Sequence, residues 1–172
     1  MDLSHVVAGL FQKCLECYFE ETRVWRLPKL RPPASEQQIA AWEQICGQEI
    51  DADFRGFLRL TDGMEGLYFT MSILGCSDWE AGSLRTLAAR EYAESVSSGE
   101  VHDDVGLEDS VKIFPIAVNA DASDGIFLIE SLVAPERIWW TGQGSSRFFG
   151  TFRNLLEYCT DRSLYSPRDT VD

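Results

Sequence analysis

Between Val111 and Thr141, three runs rich in aliphatic and aromatic residues follow one another, and no segment between them is long enough to hold a crossover helix. Strands joined this closely pair antiparallel, because a parallel neighbour needs a connection of about a dozen residues or more. The runs are Val111–Val118, Ile126–Ile129 and Ile138–Thr141, and Leu67–Met71 reads as a further short strand. Pro115 places the 111–118 strand at a sheet edge or beside a bulge, since proline cannot donate to a ladder. Helical periodicity lies on either side of these strands. Leu3, Val6, Val7, Leu10, Phe11, Cys14, Leu15 and Tyr18 recur at helical spacing and predict a helix over 3–20.

Ser35 opens a second helix with Gln38 three positions on, the pattern of a capping box, and Gly47 closes it. Its buried stripe is expected to be Ile39, Trp42, Ile45 and Cys46. A third helix begins at Asp51 or Asp53 and is expected to bury Phe54, Phe57, Leu58 and Leu60. Ser83 caps a fourth, with Leu84, Leu87, Ala88, Tyr92 and Val96 as its apolar side. Residues 99–110 read as an exposed acidic loop, and Phe152, Leu155, Leu156 and Cys159 mark a last helix. Helices bracketing consecutive antiparallel strands define an α+β fold, a single mainly antiparallel sheet wrapped by helices. The chain of 172 residues, 45% of them hydrophobic, suffices for one sizeable core, so 1–172 is a single domain with a polar tail at 163–172.

Net charge is −13, and it is concentrated. Between 61 and 130, 14 acidic residues stand against three basic ones, Arg85, Arg90 and Lys112. Two readings fit this stretch: a solvated face that keeps the chain soluble, or a surface that captures a basic partner. Tyr68, Phe69, Trp79 and Tyr92 in the same stretch suit the second, because aromatic residues anchor interfaces. A sequence pI near 4.5 argues against nucleic-acid binding, which is built from Lys and Arg. No apolar run approaches the roughly 18 residues that span a bilayer, and the N-terminus has no signal-peptide pattern, so a cytoplasmic location is expected.

The five cysteines form no disulfide framework, being odd in number and irregular in spacing. Cys14 and Cys17 fall on one helical face, where they supply only two of the four ligands of a structural zinc site, and are expected reduced and metal-free. Asn119 to Glu130 superficially follows a calcium loop, but Asp124 stands where the sharp turn requires glycine, and strands flank it. A turn between strands is the better reading. Gly142-Gln-Gly144-Ser-Ser lacks the lysine of a phosphate loop and also reads as a turn. His5 and His102 are the only imidazoles, and neither is flanked by a nucleophile motif. No catalytic, cofactor or metal residues are assigned.

Glu43-x-x-x-Gly47-x-x-Ile50-x-x-Asp53-Phe54-x-x-Phe57-Leu58-x-x-x-Asp62-Gly63 resembles the helical elbow of the SUKH (Smi/Knr) superfamily, which ends in "N-G". Phe114-Pro115-Ile116-Ala117 is similar to that family's "F-I-P-I-A" strand, and the acidic turn Asp121–Gly125 follows it. Trp139-Trp140 falls where the family often has an aromatic strand, and Gly150-Thr151-Phe152-x-x-Leu155-Leu156-Glu157 is similar to its closing helix. The resemblance spans about 36–160, leaving helix 3–20 and the tail as additions. It implies a SUKH-like fold and no catalysis. Bacterial members are commonly immunity proteins that neutralise a toxin, often a nuclease of a polymorphic toxin system; eukaryotic members scaffold cell-wall and signalling proteins.

The expected function is therefore a non-catalytic binding protein, an immunity protein for a basic toxin domain, with a scaffold or regulatory domain as the alternative. Asp62, Glu65, Asp103, Asp104, Glu108, Asp109, Asp121 and Asp124 are the expected charged rim. Tyr68, Trp79, Trp139 and Trp140 are the candidate anchors, with one of the adjacent pair Trp139 and Trp140 expected to point inward. For the fold, Trp42, Phe54, Phe57, Leu58, Phe114, Ile116, Phe152 and Leu156 are expected to be buried together.

Overall fold

The computed structural model describes residues 2–171. Seven strands form one sheet in which every strand pairs antiparallel with its sequence neighbour. The chain runs α1 (Leu3–Glu20), β1 (Lys29–Leu30), α2 (Glu36–Cys46), α3 (Ala52–Leu60), β2 (Met64–Tyr68), β3 (Met71–Ile73), α4 (Cys76–Ala81), α5 (Leu84–Ser98) and α6 (Val101–Asp104). The four remaining strands and the last helix follow as β4 (Lys112–Val118), β5 (Asp124–Glu130), β6 (Ile138–Gly142), β7 (Ser145–Phe149) and α7 (Phe152–Thr160). The α+β class with one antiparallel sheet is the one expected.

Local chemistry sets the helix ends. Ser35 forms the full capping box with Gln38, and Gly47 closes α2 in the left-handed conformation (φ 69°) that glycine adopts without penalty. Asp51 caps α3 by accepting from the Phe54 N–H at 2.9 Å. The same oxygen accepts from the Phe152 N–H at 3.2 Å, so one buried carboxylate ties the first turns of α3 and α7 together. Pro115 lies in a central strand beside a register shift between Pro115 and Ala117, the bulge that lets proline into a sheet interior.

The sheet is covered on both faces, and strand alternation feeds two cores. Ile126, Leu128, Ile138, Trp140 and Phe149 join the larger core, with α1, α2, α3 and α7. Phe127, Ile129, Trp139 and Phe148 face the other way and pack with Val96, Val105 and Leu107 of the α5–α6 region. The eight residues expected to cluster all lie in the larger core. Helix α1 is integral to it through Leu3, Val6, Val7, Leu10 and Cys14.

The differences from expectation have local causes. Leu67–Met71 is not one strand but the turn of a hairpin: Phe69 takes φ 50° between β2 and β3, with none of the usual turn residues to announce it. Leu60 and Ile45 are exposed at 40% and 44%, because the partners of α2 and α3 cover a narrower stripe than the apolar pattern suggests. On α5 the register is turned. Leu84 and Leu87 face outward, while Thr86, Ala89 and Val96 pack inward, where small residues allow close approach to the sheet. The 99–110 segment is not a plain loop, since it holds α6 and buries Val105 and Leu107. The Gly142–Ser146 turn opens a further strand, β7. Gln143 (φ 51°) and Gly144 (φ 76°) give the left-handed pair that suits a two-residue hairpin.

The polar tail is also bound. The Phe148 N–H donates to the Arg168 carbonyl at 2.8 Å, Arg168 pairs with Glu136, and the Val171 N–H donates to the Val105 carbonyl at 2.8 Å. It thereby shields the β7 edge, which would otherwise offer unpaired backbone groups.

Phe57 is fully buried against Phe54 and Phe152. Phe57→Ala is expected to cost about 3–5 kcal/mol in chemical denaturation. Asp51→Ala, which leaves two N–H groups without their acceptor, is expected to cost about 1–3 kcal/mol. Burial raises the Asp51 carboxyl above its ordinary value. The native state thus holds that proton more tightly than the unfolded chain, and this group's contribution weakens as pH rises through the acid range toward its raised pKa. Asp51→Asn is expected to remove that component from the stability–pH curve.

Candidate binding surface

Helix α5, helix α6 and the turn after it form one hydrogen-bonded unit. The Asp104 N–H donates to the Glu100 carbonyl at 3.0 Å, and the Leu107 N–H to the His102 carbonyl at 2.9 Å. Between Glu91 and Val111 this unit has no Lys or Arg. Its exposed carboxylates are Glu91, Glu94, Glu100, Asp103, Asp104 and Asp109. Sheet packing by Val96, Val105 and Leu107 fixes the unit from beneath, so the charges sit on a held surface. A groove of about 700 Å³ runs along it, between α5–α6 and the β6–β7 hairpin, with Tyr92, Asp104, Ser123 and Asp169 among its walls.

Only part of the expected rim lies here. Asp103, Asp104 and Asp109 are exposed as expected, and Glu108 is half-buried at the unit's edge. Glu108 accepts from Ser131 Oγ at 2.7 Å and from the Leu132 N–H at 2.5 Å, which pins the β5–β6 connection to α6. Partial burial pushes its carboxyl up, but those bonds outweigh it and hold it below the ordinary value. Asp121 is exposed in the β4–β5 turn, away from α6 along the chain. Its carboxyl is held low, chiefly by Ser123 Oγ at 2.7 Å.

The other carboxylates belong to the framework. Asp62 is buried and caps α4, accepting from the Cys76 N–H at 2.5 Å and the Ser77 N–H at 3.0 Å. Gly75 makes this possible, since a Cβ there would come within 2.2 Å of the Asp62 carbonyl oxygen. Glu65 is half-buried and pairs with Arg85 at 3.0 Å. Asp124 is half-buried and accepts from Trp140 Nε1 at 2.8 Å; desolvation raises its carboxyl against that bond.

The expected anchors are corrected most. Trp79 is buried against Phe114, with the Arg90 guanidinium over its ring at 4.9 Å. Trp139 and Trp140 are both buried, on opposite faces of the sheet. The expectation that only one points inward fails because helices cover both faces. Tyr68 is half-buried between Trp25 and Trp140. Glu91, Glu94 and Glu100 are the acidic residues that the sequence reading missed. Their place beside Glu108 and Asp109 in a segment without cations was the available signal.

The Asn119–Gly125 segment is a hairpin loop. Its Asn119 Oδ1 accepts from the Ser123 and Asp124 N–H groups at 2.9 and 3.0 Å, which occupies a donor the calcium pattern would need. Among the described residues, one group of three potential metal donors lies within 4.8 Å, namely His102, Asp103 and Asp109. His102 Nε2 is 3.1 Å from Asp109 Oδ1 and 3.5 Å from Asp103 Oδ1, an imidazole shared by two exposed carboxylates. Among the described residues, no helix is long and apolar enough to cross a membrane. The chain matches no protein-family model, and no curated protein matches it.

Framework and surface carboxylates should separate in stability measurements. Asp62→Ala is expected to cost about 1–3 kcal/mol through the lost α4 cap. Asp103/Asp104→Asn is expected to change stability by no more than about 0.5 kcal/mol. Thermal denaturation of both variants distinguishes the two roles.

Proposed function

We propose that this chain is a non-catalytic binding protein that captures a basic protein partner on the α5–α6 face. The observation that carries this reading is the set of exposed carboxylates from Glu91 to Asp109, in a segment without Lys or Arg and packed on the sheet through Val96, Val105 and Leu107. Such a field raises encounter rates with a cationic partner and costs little fold stability where the charges remain in water. The resemblance of residues 36–160 to the SUKH superfamily supports an immunity role, in which the partner is a toxin domain and the protein works in the cytoplasm. With Trp79, Trp139 and Trp140 in the core, the contact relies on charge, on the groove beside Tyr92 and on exposed apolar groups such as Leu84 and Leu87.

The test is association with a toxin domain encoded beside this chain's gene, followed at low and high salt. The association rate is expected to fall with salt, as exposed charges are screened beyond a Debye length of about 8–10 Å. Asp103/Asp104/Asp109→Asn is expected to slow association by about threefold to tenfold and leave dissociation nearly unchanged. Absence of binding, or a rate indifferent to salt and to these substitutions, would overturn the proposal.

A further inference from the structure

A second cleft, of about 570 Å³, opens on the side of the larger core between α1, α7 and the β6–β7 hairpin. One wall is a run of rings. Trp25 meets Tyr68 edge to face with centroids 5.6 Å apart, and Tyr68 meets Trp140 at 5.3 Å. The Arg147 guanidinium continues the run, 5.8 Å from the Trp140 centroid and 5.9 Å from that of Tyr158. The Arg162 guanidinium lies 5.9 Å from the same Tyr158 ring. One phenol ring therefore gathers two guanidinium groups, and Lys13 lines the same cleft.

On a chain of net charge −13, this gathering needs a cause. Like charges side by side repel, and surface arginines in so acidic a protein have carboxylates to pair with. Among the described residues, the Lys13 and Arg162 side chains make no direct hydrogen bond or ion pair, and Arg147 has a bond of 3.4 Å to Ser145 Oγ; at longer range Lys13 acts on Asp161 and Arg147 on Asp124. Two carboxylates also line the cleft, but each has an oxygen already engaged. Asp124 Oδ1 is held by Trp140 Nε1 at 2.8 Å, and Asp161 Oδ1 by the Ser163 N–H at 2.8 Å. Three cations line the cleft against two carboxylates.

We propose that this cleft binds a small planar organic anion, with Arg147 and Arg162 holding its phosphate or carboxylate and the Trp25–Tyr68 wall taking its ring. Guanidinium forks match the oxygens of either acid group, and cation–π attraction to Tyr158 draws both guanidinium groups to one ring. The volume falls within the roughly 300–1,000 Å³ of small-molecule sites. Asp124, on the same wall, adds an acceptor beside the ring that its bond to Trp140 Nε1 fixes in place. This site lies across the β6–β7 hairpin from the α5–α6 groove, with Arg147 lining both, and its test does not depend on toxin binding.

Calorimetry on the full chain tests it with six probes. AMP joins a ring to a phosphate and indole-3-acetate joins a ring to a carboxylate; adenosine and inorganic phosphate are the parts of the first, indole and acetate those of the second. At least one joined probe is expected to bind about tenfold or more tighter than either part, the scale of one charge-assisted hydrogen bond. Which of the two binds identifies the acid group. The same probe is expected to shift the Trp25 and Trp140 indole N–H resonances while leaving that of Trp139, on the opposite face, in place. Arg147→Gln and Arg162→Gln are each expected to weaken binding by about tenfold, and exposed Arg162 can be replaced without disturbing the core. Three results would each overturn the proposal: no binding of either joined probe at millimolar concentration, affinity unchanged in both variants, or inorganic phosphate binding as tightly as AMP.

Discussion

Burial of strands β4 to β7 on both faces is the constraint from which the rest of the molecule follows. Along β5, Ile126 and Leu128 enter one core while Phe127 and Ile129 enter the other, and none of the four is exposed. A sheet of that kind cannot leave a face to water, so α1, α2, α3 and α7 must cover one side and the α5–α6 unit the other. Trp139, stacked on Phe148 and tilted against Phe127, is the centre of the smaller core, as Trp42 with Phe54 and Phe114 is of the larger one. Trp79, Trp139 and Trp140 are taken up in these two cores, while Trp25 and Tyr68 stay half-buried beside the α1–α7 cleft.

That arrangement divides the surface electrostatically. The helices over the smaller core carry the uncompensated carboxylates, while the cleft beside α1 and α7 gathers cations against aromatic rings. The β6–β7 hairpin stands between them, and Arg147 lines both the acidic groove and the cationic cleft. Its guanidinium is drawn to the cleft by two aromatic faces, Trp140 and Tyr158, each of which attracts a cation through its negative quadrupole.

Sequence periodicity and turn chemistry are local signals, and what they reported locally holds. The capping box of Ser35 and Gln38, the αL stop at Gly47, the bulge at Pro115 and the aromatic cluster of the elbow were all legible, because each depends on neighbours a few positions away or on apolarity alone. Where a segment's position depends on what packs against it, the reading slipped. Leu84 and Leu87 look like the inner face of α5 by hydropathy, yet the small residues Thr86 and Ala89 face the sheet because they let the helix approach it. The β2–β3 turn at Phe69 and the α4 helix went unseen for the same reason. Their geometry is imposed from outside, α4 through the carboxylate of Asp62, which lies 14 residues before the amide it caps.

The amino-acid order by itself determined the antiparallel succession of strands, the bracketing helices and the segment in which negative charge is concentrated. Short connections forbid crossovers, and charge count does not depend on folding. Only the tertiary structure decided which carboxylates meet water. Asp62, Glu65 and Asp124 are indistinguishable in sequence from Asp103 and Asp104, but each is claimed by a partner at long range: Cys76, Arg85 or Trp140. Tertiary packing likewise decided that both Trp139 and Trp140 are buried, because a strand specifies alternation but not whether one face or both will be covered. The cationic cleft is the extreme case, since Lys13, Arg147 and Arg162 come from distant parts of the chain and acquire a common meaning only where α1, β7 and the end of α7 meet.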